Sequence, residues 1–298
     1  MFVIAGVGAA VAACGFSDLD GLSSGGLPAD GGGTESGSSD SSVVADASGS
    51  NDATGDADDA GSEAGTNTDA GSDADVDAGA CAGKAGPKMV RVGKYCVDST
   101  EVTGAQYTAF VAANVAIGSQ PPECAFNTSF APKKTMGADQ LPARYVNWCD
   151  ARAYCLWAGK RLCGAIAGGP TLYQNPDITT EEWFMACSQN HTRVYPYGQV
   201  YDATACNGDP TNDVPVFVAS KTKCEGGFPG LFDMSGNVRE WQDACESVEV
   251  DGGGSESCVT RGGASDDLPE ALQCAHRDTD PRNYNSVHLG FRCCSDAL

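Results

Sequence analysis

Short runs of apolar residues recur along the chain from residue 81 onward, separated by turn-forming residues. Residues 89–92 and 95–97 are rich in Val and other strand-forming types and predict two short β-strands. Thr103 stands three residues before Gln106, a spacing typical of a capping box, in which each side chain bonds the other residue's backbone. This pattern predicts a helix that begins after Thr103 and ends at about Ala113.

A second helix is predicted over residues 148–158. Asn147 is a favourable N-cap, and Gly159 supplies the left-handed residue that ends many helices. Its apolar positions share one face: Trp148, Ala151, Tyr154, Cys155 and Ala158. A further capping-box pattern, Thr179 with Glu182, predicts a third helix. The remaining segments are rich in Gly and turn residues, so the sequence predicts an α+β domain with little regular secondary structure.

Residues 15–80 differ in composition from the rest of the chain. They contain fifteen Asp or Glu residues and no Lys or Arg. Gly, Ser, Asp and Ala bury too little apolar surface to offset the entropy lost on ordering. The sequence therefore predicts a disordered acidic linker that acts as a spacer. Calcium binding is the alternative for an acidic run, but the EF-hand spacing is absent from it.

The net charge of −22 arises mainly from this linker. The rest of the chain carries 25 acidic and 18 basic residues, an ordinary balance for a soluble domain. A nucleic-acid partner requires clustered Lys and Arg side chains, and no such cluster occurs in the sequence. We therefore expect no nucleic-acid partner.

The first fourteen residues are apolar and small up to Cys14. The sequence Val11-Ala12-Ala13-Cys14-Gly15 resembles the lipobox of bacterial lipoproteins, in which the cysteine is acylated and becomes the first mature residue. No Lys or Arg precedes the apolar run, which departs from an ordinary signal peptide. The alternative is an apolar N-terminus with an ordinary cysteine. The prediction is a leader over 1–14, lipidation at Cys14, and a lipid anchor in the cell envelope, at the outer membrane where the cell has one.

Fifteen cysteines are present, and none forms a C-x-x-C pair of the kind that holds metals. Their irregular spacing is typical of exported domains held by disulfides. With Cys14 set aside, fourteen cysteines remain, an even number that permits seven bridges. The sequence predicts an exported, disulfide-rich globular domain over residues 81–298.

Residues 228–241 read FPGLFDMSGNVREW. This run resembles the GLYDMxGNVWEW-like signature of the formylglycine-generating enzyme family, also called sulfatase-modifying factors. Further blocks resemble other family segments in the same order; they lie within 99–110, 146–162, 182–198, 261–263, 274–277 and 290–293. Together they cover roughly residues 89–294, with an extra stretch near 163–180.

The resemblance implies a compact α+β fold related to the C-type-lectin scaffold, often with bound calcium. It also implies two disulfides, Cys155–Cys293 and Cys187–Cys274. For the remaining cysteines the prediction mostly pairs neighbours along the chain: Cys81–Cys96, Cys124–Cys149, Cys206–Cys224, Cys245–Cys258 and Cys163–Cys294.

Family members that oxidise a substrate cysteine to formylglycine hold copper(I) with two cysteines, in a segment like RGGSxxCxxxYC. Here the Arg261-Gly262-Gly263 motif is followed by ten residues without a cysteine, and the first one reached, Cys274, matches a structural half-cystine. Carboxylates do not replace thiolates as ligands for soft copper(I). The sequence therefore predicts neither the copper centre nor its catalytic residues.

A second branch of the family uses iron held by histidines. This chain has three histidines, His191, His276 and His288, without the paired spacing that such a site needs. We interpret them as surface or packing residues. His276 and Arg277 fall in the region that matches the family's active cleft, so they are candidate ligand contacts.

The resemblance also implies a calcium site in the signature run. It assigns the side chains of Asp233 and Glu240 and the carbonyls of Gly236 and Val238, all hard oxygen ligands that suit Ca²⁺. The alternative is that Asp233 caps a turn and Glu240 is a solvated charge. A second family site would begin at Asn207 and Gly208, without a clear acidic partner.

The sequence favours a surface-tethered lipoprotein whose domain binds a protein, peptide or glycan without oxidase activity. One alternative is a formylglycine-generating or other modifying enzyme that acts on exported proteins. Another is a purely structural envelope protein.

Overall fold

The computed structural model describes residue 81 and residues 85–211, 214–247 and 253–298. The predicted leader, Cys14 and the predicted linker lie outside the described residues. All described residues belong to one compact unit, Asp69–Leu298. None of the helices found within those ranges is long and apolar enough to cross a bilayer.

One four-stranded sheet contains the two strands predicted near the start of the domain. β1 (Met89–Val92) and β2 (Tyr95–Asp98) pair antiparallel, with Val90 opposite Val97. β2 then pairs with β8 (Cys293–Asp296), and β8 pairs with the short β3 (Arg161–Leu162). The order β1-β2-β8-β3 therefore brings the two ends of the domain together.

The first two helices begin at the predicted caps. α1 (Gly104–Ala112) is capped by Thr103 in a reciprocal capping box with Gln106. α2 (Trp148–Trp157) is capped by Asn147 in a box with Asp150, and Gly159 follows it with a φ of +70°. Both boxes satisfy backbone N–H groups that have no partner inside a helix. These local predictions are confirmed.

The third helix begins differently from the sequence prediction. α3 (Glu182–Cys187) has Glu181 as its N-cap, and no side chain bonds its first turn. The Thr179 capping box does not form, because residues 178–180 make a short 3₁₀ turn of their own. The Asp177 carboxylate accepts from the Thr179 backbone N–H at 3.1 Å and caps that turn instead.

A second four-stranded sheet carries the family signature into the core. β4 (Arg239–Cys245) pairs antiparallel with β5 (Ser257–Arg261), and β5 pairs antiparallel with β6 (Asp278–Pro281). β7 (Leu289–Gly290) lies parallel to the start of β4. The order β6-β5-β4-β7 places Glu240 beside both Arg261 and Gly290.

Two hydrophobic clusters form the core. The first packs the buried faces of α1 and α2 around stacked and edge-on aromatic rings, with Tyr107 and Tyr154 centroids 5.8 Å apart. The second surrounds Trp183, Leu231 and Met234. The signature run 228–241 contributes buried residues to both clusters, so its backbone is fixed from two sides.

Seven disulfides join the elements, and they are the seven pairs that the sequence suggested: Cys81–Cys96, Cys124–Cys149, Cys155–Cys293, Cys163–Cys294, Cys187–Cys274, Cys206–Cys224 and Cys245–Cys258. Such dense bridging indicates an extracellular or exported protein. The adjacent residues Cys293 and Cys294 point to opposite faces of β8, because side chains alternate along a strand. One therefore bonds Cys155 in α2 and the other bonds Cys163 after β3.

Candidate functional site

A tight turn over residues 233–237, which we call the signature turn, leads into β4. Asp233, Gly236 and Asn237 all have positive φ, at 58°, 76° and 63°. Gly236 is required there, because a Cβ at this position would lie 2.2 Å from the carbonyl oxygen of Asn207. Asn and Asp tolerate the left-handed region better than most residues, which suits the other two positions.

The side chain of Asn237 connects this turn to three other segments. Its Oδ1 accepts from the Val216 N–H at 2.8 Å and from Asn207 Nδ2 at 3.3 Å. Its Nδ2 donates to Glu101 Oε1 at 2.9 Å. Asn237 is 1% exposed, so these bonds satisfy an amide that water does not reach.

Glu240 lies under the turn in a fully buried ion pair. Arg292 Nε donates to both carboxylate oxygens, at 2.9 Å to Oε1 and 2.8 Å to Oε2. Trp183 Nε1 also donates to Oε2, at 2.7 Å. The sequence alternative of a solvated Glu240 is therefore wrong, because the residue is 1% exposed and has two buried donor groups.

Two further buried carboxylates, Asp233 and Glu101, lie close to this ion pair. Burial raises the pKa of Asp233 to about 6, and the charge of Glu240 raises it further, while hydrogen bonds from Ala219 and Glu101 and the charge of Arg292 oppose the shift. Burial and then the charge of Asp233 raise the pKa of Glu101 well above its usual range. The charge of Asp233 thus destabilises the ionised form of Glu101, whereas the hydrogen bond from Glu101 stabilises ionised Asp233.

This centre holds more acidic than basic side chains. Glu101, Asp233 and Glu240 are three buried carboxylates, and Arg292 is the guanidinium that acts on all of them. Because Glu101 donates a hydrogen bond to Asp233, its proton and the guanidinium leave one uncompensated negative charge. Carboxylate and carbonyl oxygens are the types of ligand that calcium takes. Glu240 Oε1 accepts one hydrogen bond and keeps a second lone pair.

The structure does not gather these acids into a preformed cage of side chains. Within the described ranges, three metal-ligating side chains lie within 4.8 Å of one another at Cys163, Glu182 and Cys294. The two cysteines of that group are bonded to each other, so it is not a thiolate site. An ion at the signature turn would need main-chain carbonyls to complete its shell, as the resemblance implied for Gly236 and Val238.

The second predicted metal position is occupied by structural contacts. Asn207 Nδ2 donates to Val214 O at 3.1 Å, and its own carbonyl accepts from the Asn237 N–H at 2.7 Å. The carbonyl of Gly208 accepts from the Tyr201 hydroxyl at 2.7 Å. Asn207 and Gly208 thus support the signature turn. The Oδ1 atom of Asp209 accepts a hydrogen bond from the Thr211 N–H at 2.8 Å.

The segment after Arg261 has no thiol at the positions that the oxidase pattern requires. Counted with the RGGSxxCxxxYC spacing, those positions are Asp267 and Leu272. Asp267 Oδ2 accepts from the Ala264 N–H at 2.8 Å and closes a turn. Leu272 is 1% exposed and packs on Gly208, where a Cβ would lie 2.4 Å from its Cδ1.

His288 lies beside a serine and an aspartate, the residue types of a catalytic triad, but their geometry differs from that of a triad. His288 Nδ1 lies 3.3 Å from Ser265 Oγ and 3.2 Å from Asp266 Oδ1. A Ser-His-Asp triad uses the two different ring nitrogens for these partners. Ser265 is also fully buried, so we interpret the cluster as a packing contact. His191 packs edge-on to Phe184, as the sequence interpretation expected.

His276 and Arg277 lie at the surface beside the extra stretch. His276 Nε2 is 3.8 Å from Asp278 Oδ2, with a side chain 36% exposed. Arg277 Nη2 donates to the Tyr173 carbonyl at 3.1 Å. Arg277 therefore holds the extra stretch in place, a role that the sequence did not suggest.

The extra stretch forms one wall of a cavity of about 700 Å³. The Thr171 N–H donates to the Asp243 carbonyl at 2.8 Å, which fixes this wall on β4. Leu172, 69% exposed, and Tyr173 line one side. Glu246 and Glu256 line the other, near the Cys245–Cys258 bridge. The volume lies in the range of ligand-binding cavities.

Comparison with known families identifies the class of protein. The model of the sulfatase-modifying factor enzyme 1-like domain (FGE-sulfatase) matches residues 59–297. The chain therefore belongs to the formylglycine-generating enzyme family, as the six blocks and the signature run indicated. The described fold is the mixed helix and sheet fold of that family, with little regular structure and seven disulfides.

Several curated proteins are similar to this chain. The serine/threonine-protein kinase Pkn1 of Chlamydia trachomatis is 32% identical over 174 residues, which cover 54% of this chain and 25% of the kinase. The inactive C-alpha-formylglycine-generating enzyme 2 of Bos taurus is 31% identical, over 53% of this chain and 51% of that protein. The formylglycine-generating enzyme of Bos taurus is 29% identical, over 53% of this chain and 44% of that protein. The chain thus spans about a quarter to a half of these relatives.

Two solved structures are also similar. CarF aligns with a TM-score of 0.46 and 22% identity, over 68% of this chain and 86% of that one. PvdO from Pseudomonas aeruginosa aligns with a TM-score of 0.48 and 18% identity, over 68% of this chain and 80% of PvdO.

Proposed function

We propose that the domain is a binding module of an exported protein and does not carry out copper-dependent oxidation. The observation that carries this proposal is the state of the cysteines. All fourteen cysteines of the described residues are paired in seven disulfides. A disulfide sulfur is not a thiolate, and copper(I) sites in proteins are built from thiolate or thioether ligands.

The names of the relatives are compatible with either outcome. One is called an inactive formylglycine-generating enzyme and another a formylglycine-generating enzyme, at nearly equal identity. The residues at the two oxidase positions favour the inactive state for this chain. Asp267 closes a turn and Leu272 fills a buried space, so each position has a structural role that a metal ligand would displace.

The cavity beside the extra stretch supports ligand binding. Its walls combine the exposed Leu172 and the half-buried Tyr173 with the carboxylates of Glu246 and Glu256. Glu256 also lies 3.4 Å from Arg282, so its charge is shared with a buried partner. This lining suits a peptide segment of a partner protein with an apolar side chain and a Lys or Arg. A glycan is the alternative ligand.

The proposed setting is a protein tethered to the cell envelope through a lipid at Cys14, with the acidic segment 15–80 as a spacer. The apolar leader and the composition of that segment support it. In this setting calcium at the signature turn has a structural role, since it would hold Asp233 and Glu240 beside Arg292.

A thiol assay tests the absence of an oxidase centre. We expect a Cys14→Ser chain, denatured without reductant, to react with no equivalents of a thiol reagent and to bind no copper(I). Two or more reactive thiols, together with copper(I) uptake and aldehyde formation in a cysteine-containing peptide, would establish the oxidase instead.

A binding screen tests the ligand site. The full chain is screened against a random peptide library and a glycan array, with Tyr173→Ala and Val200→Ala variants in parallel. We expect the wild type to retain peptides rich in Lys or Arg. The Tyr173→Ala variant should bind these peptides at least tenfold more weakly. Val200 is 79% exposed and does not line the cavity, so its variant should bind like the wild type. Retention of glycans, or equal loss in both variants, would overturn the peptide assignment.

A further inference from the structure

We infer that the ligand of the cavity binds as an added β-strand on the outer edge of β4, at Cys245. This inference rests on the proposed peptide-binding function, and it names the atoms that would hold the peptide. The outer edge is the side of β4 that faces away from β5 and toward the extra stretch. Cys245 is the last residue of β4 and lines the cavity.

The register of the second sheet fixes the direction of the Cys245 backbone. Cys245 lies opposite Cys258, and the next residue, Glu246, donates its N–H to the Ser257 carbonyl at 2.9 Å. In an antiparallel pair, residues that bond the neighbouring strand alternate with residues that do not. Because Glu246 bonds the segment that enters β5, the N–H and C=O of Cys245 point away from β5, toward the outer edge.

Two residues earlier, the same edge is covered by other parts of the chain. The Asp243 N–H donates to the Cys163 carbonyl at 2.8 Å, and the Asp243 carbonyl accepts from the Thr171 N–H at 2.8 Å. At Cys245 this cover ends, since no group within the described ranges bonds its outward N–H or C=O. A strand edge with unpaired backbone groups is a template for another strand. The cavity therefore opens where the ladder of hydrogen bonds stops.

Both walls of this opening are held in place by the domain itself. The Cys245–Cys258 disulfide joins β4 to β5 at the edge. On the other wall, Arg277 donates to the Tyr173 carbonyl at 3.1 Å and fixes the extra stretch. A site that is already ordered loses little entropy when a ligand binds. The opening is thus prepared to accept an extended segment.

The side chains around the edge specify the chemistry of the added strand. Glu246 Oε2 accepts from the Ser257 N–H at 3.0 Å, which holds this carboxylate beside the edge, and Glu256 adds a second one. Leu172 and Tyr173 supply apolar surface. Side chains of an extended segment alternate in direction, so a Lys or Arg can lie against the acids while its neighbour packs on Tyr173. Main-chain bonds then supply affinity, and these contacts supply specificity.

Two peptide libraries that differ only in their backbone test the inference on the full chain. Both contain end-blocked heptapeptides with a central Lys, and in the second library every amide nitrogen is methylated, which removes the donors of a β-ladder. We expect the chain to retain members of the first library and none of the second. In the tightest binder, single N-methyl groups should weaken binding at least tenfold at alternate positions, because only every second residue bonds the edge.

Hydrogen exchange of single amides, followed by NMR with that binder at saturation, locates the added strand. The Cys245 N–H should exchange at least tenfold more slowly with the peptide than without it, since it gains a partner. The Asp243 N–H already donates to Cys163, so it is the control and should exchange at the same rate in both states. An unchanged rate at Cys245 would show that the peptide is held by its side chains alone.

Replacement of Ser247 separates a main-chain contact from a side-chain contact. Ser247 is exposed, lines the cavity and is the next residue whose N–H points to the outer edge. Ser247→Pro removes that N–H and should weaken binding at least tenfold, whereas Ser247→Ala keeps it and should cause a much smaller loss. Equal losses in the two variants would contradict the added strand. If Ser247→Pro does not fold, the exchange and N-methyl results on the unchanged chain decide.

Failure of this inference is distinguishable from failure of the proposed function. If both libraries are retained equally and Tyr173→Ala weakens both, the cavity binds peptides, but not as a strand. If the folded chain retains neither library, the peptide-binding function is wrong and the strand with it. If the Cys245 amide is protected without peptide, and its protection rises with protein concentration, a second copy of the chain occupies the edge and the peptide assignment is overturned.

Discussion

The signature turn and the loop after Arg261 lie side by side, yet they differ in the residues that match the family pattern. The two are joined through the Ser265 N–H, which donates to the Asn237 carbonyl at 3.1 Å, and through Ser235 Oγ, which donates to the Leu272 carbonyl at 2.7 Å. The turn keeps buried acids, a buried guanidinium and constrained backbone angles. The loop has a carboxylate and a leucine at the two oxidase positions.

This difference separates what supports the fold from what supports the chemistry. Residues of the turn contact several segments each, so replacing one of them disturbs the whole domain. At the two oxidase positions of the loop, Asp267 bonds within its own turn and Leu272 packs on Gly208 and Gly263. A chain of this family can therefore have the fold without thiols at these two positions.

The largest effect is expected from Arg292. Arg292→Gln should lower the free energy of unfolding by about 3–5 kcal/mol, because it leaves buried carboxylates without their cation. Urea unfolding in EDTA measures the change. Lys223→Gln, which removes an exposed positive charge, should change it by less than about 0.5 kcal/mol. Similar losses in both variants would show that the turn is not stabilised by this ion pair.

The loop should divide into a core position and a surface position. Leu272→Ala should lower the free energy of unfolding by about 2–5 kcal/mol, since it leaves a cavity against Gly208 and Gly263. Asp267→Asn keeps the size of a half-buried side chain, so it should lower the free energy of unfolding by about 1 kcal/mol or less. Chemical denaturation of the two variants checks this order, and the reverse order would refute it.

Buried acids should give the domain an unusual pH dependence. Burial raises the pKa of Asp150 to about 6, although hydrogen bonds from Asn147 and Asn127 oppose the shift. Between about pH 4 and 6 the folded state then retains a proton that the unfolded state has lost. The stabilisation is complete below pH 4 and is lost as the pH rises through 6, by on the order of 3 kcal/mol.

Unfolding curves at several pH values in EDTA measure this slope. Asp150→Asn should flatten it, whereas Glu270→Gln, on the exposed loop, should leave it unchanged. A wild-type stability that rises between pH 4 and 6 would contradict the assignment. This prediction sharpens the contrast between buried and exposed acids in the domain.

Local features were the most predictable from the sequence. Thr103 and Asn147 cap helices because their partners lie three residues away, and both neighbouring segments favour helix. The Thr179 box failed although its spacing was correct. Asp177 competes for the Thr179 N–H, and the chain must leave this turn in an extended conformation at Glu181.

The candidate site was less predictable because its contacts span long distances along the chain. The signature run indicated Asp233 and Glu240, but the sequence did not indicate that Arg292 and Trp183 bind Glu240 or that Glu101 lies beside Asp233. The cavity depends on an extra stretch with no periodic pattern. A guanidinium and an acid 52 residues apart carry no spacing signal that would pair them.

The two adjacent cysteines of β8 impose an order on maturation. Cys155 and Cys163 precede their partners by 138 and 131 residues. In a chain exported from its N-terminus, they would reach an oxidising compartment as free thiols before Cys293 and Cys294. Earlier cysteines are available to trap them in the meantime, and such premature bonds are undone by thiol–disulfide exchange. We therefore expect the yield of secreted protein to be limited by a host isomerase and not by the supply of oxidant.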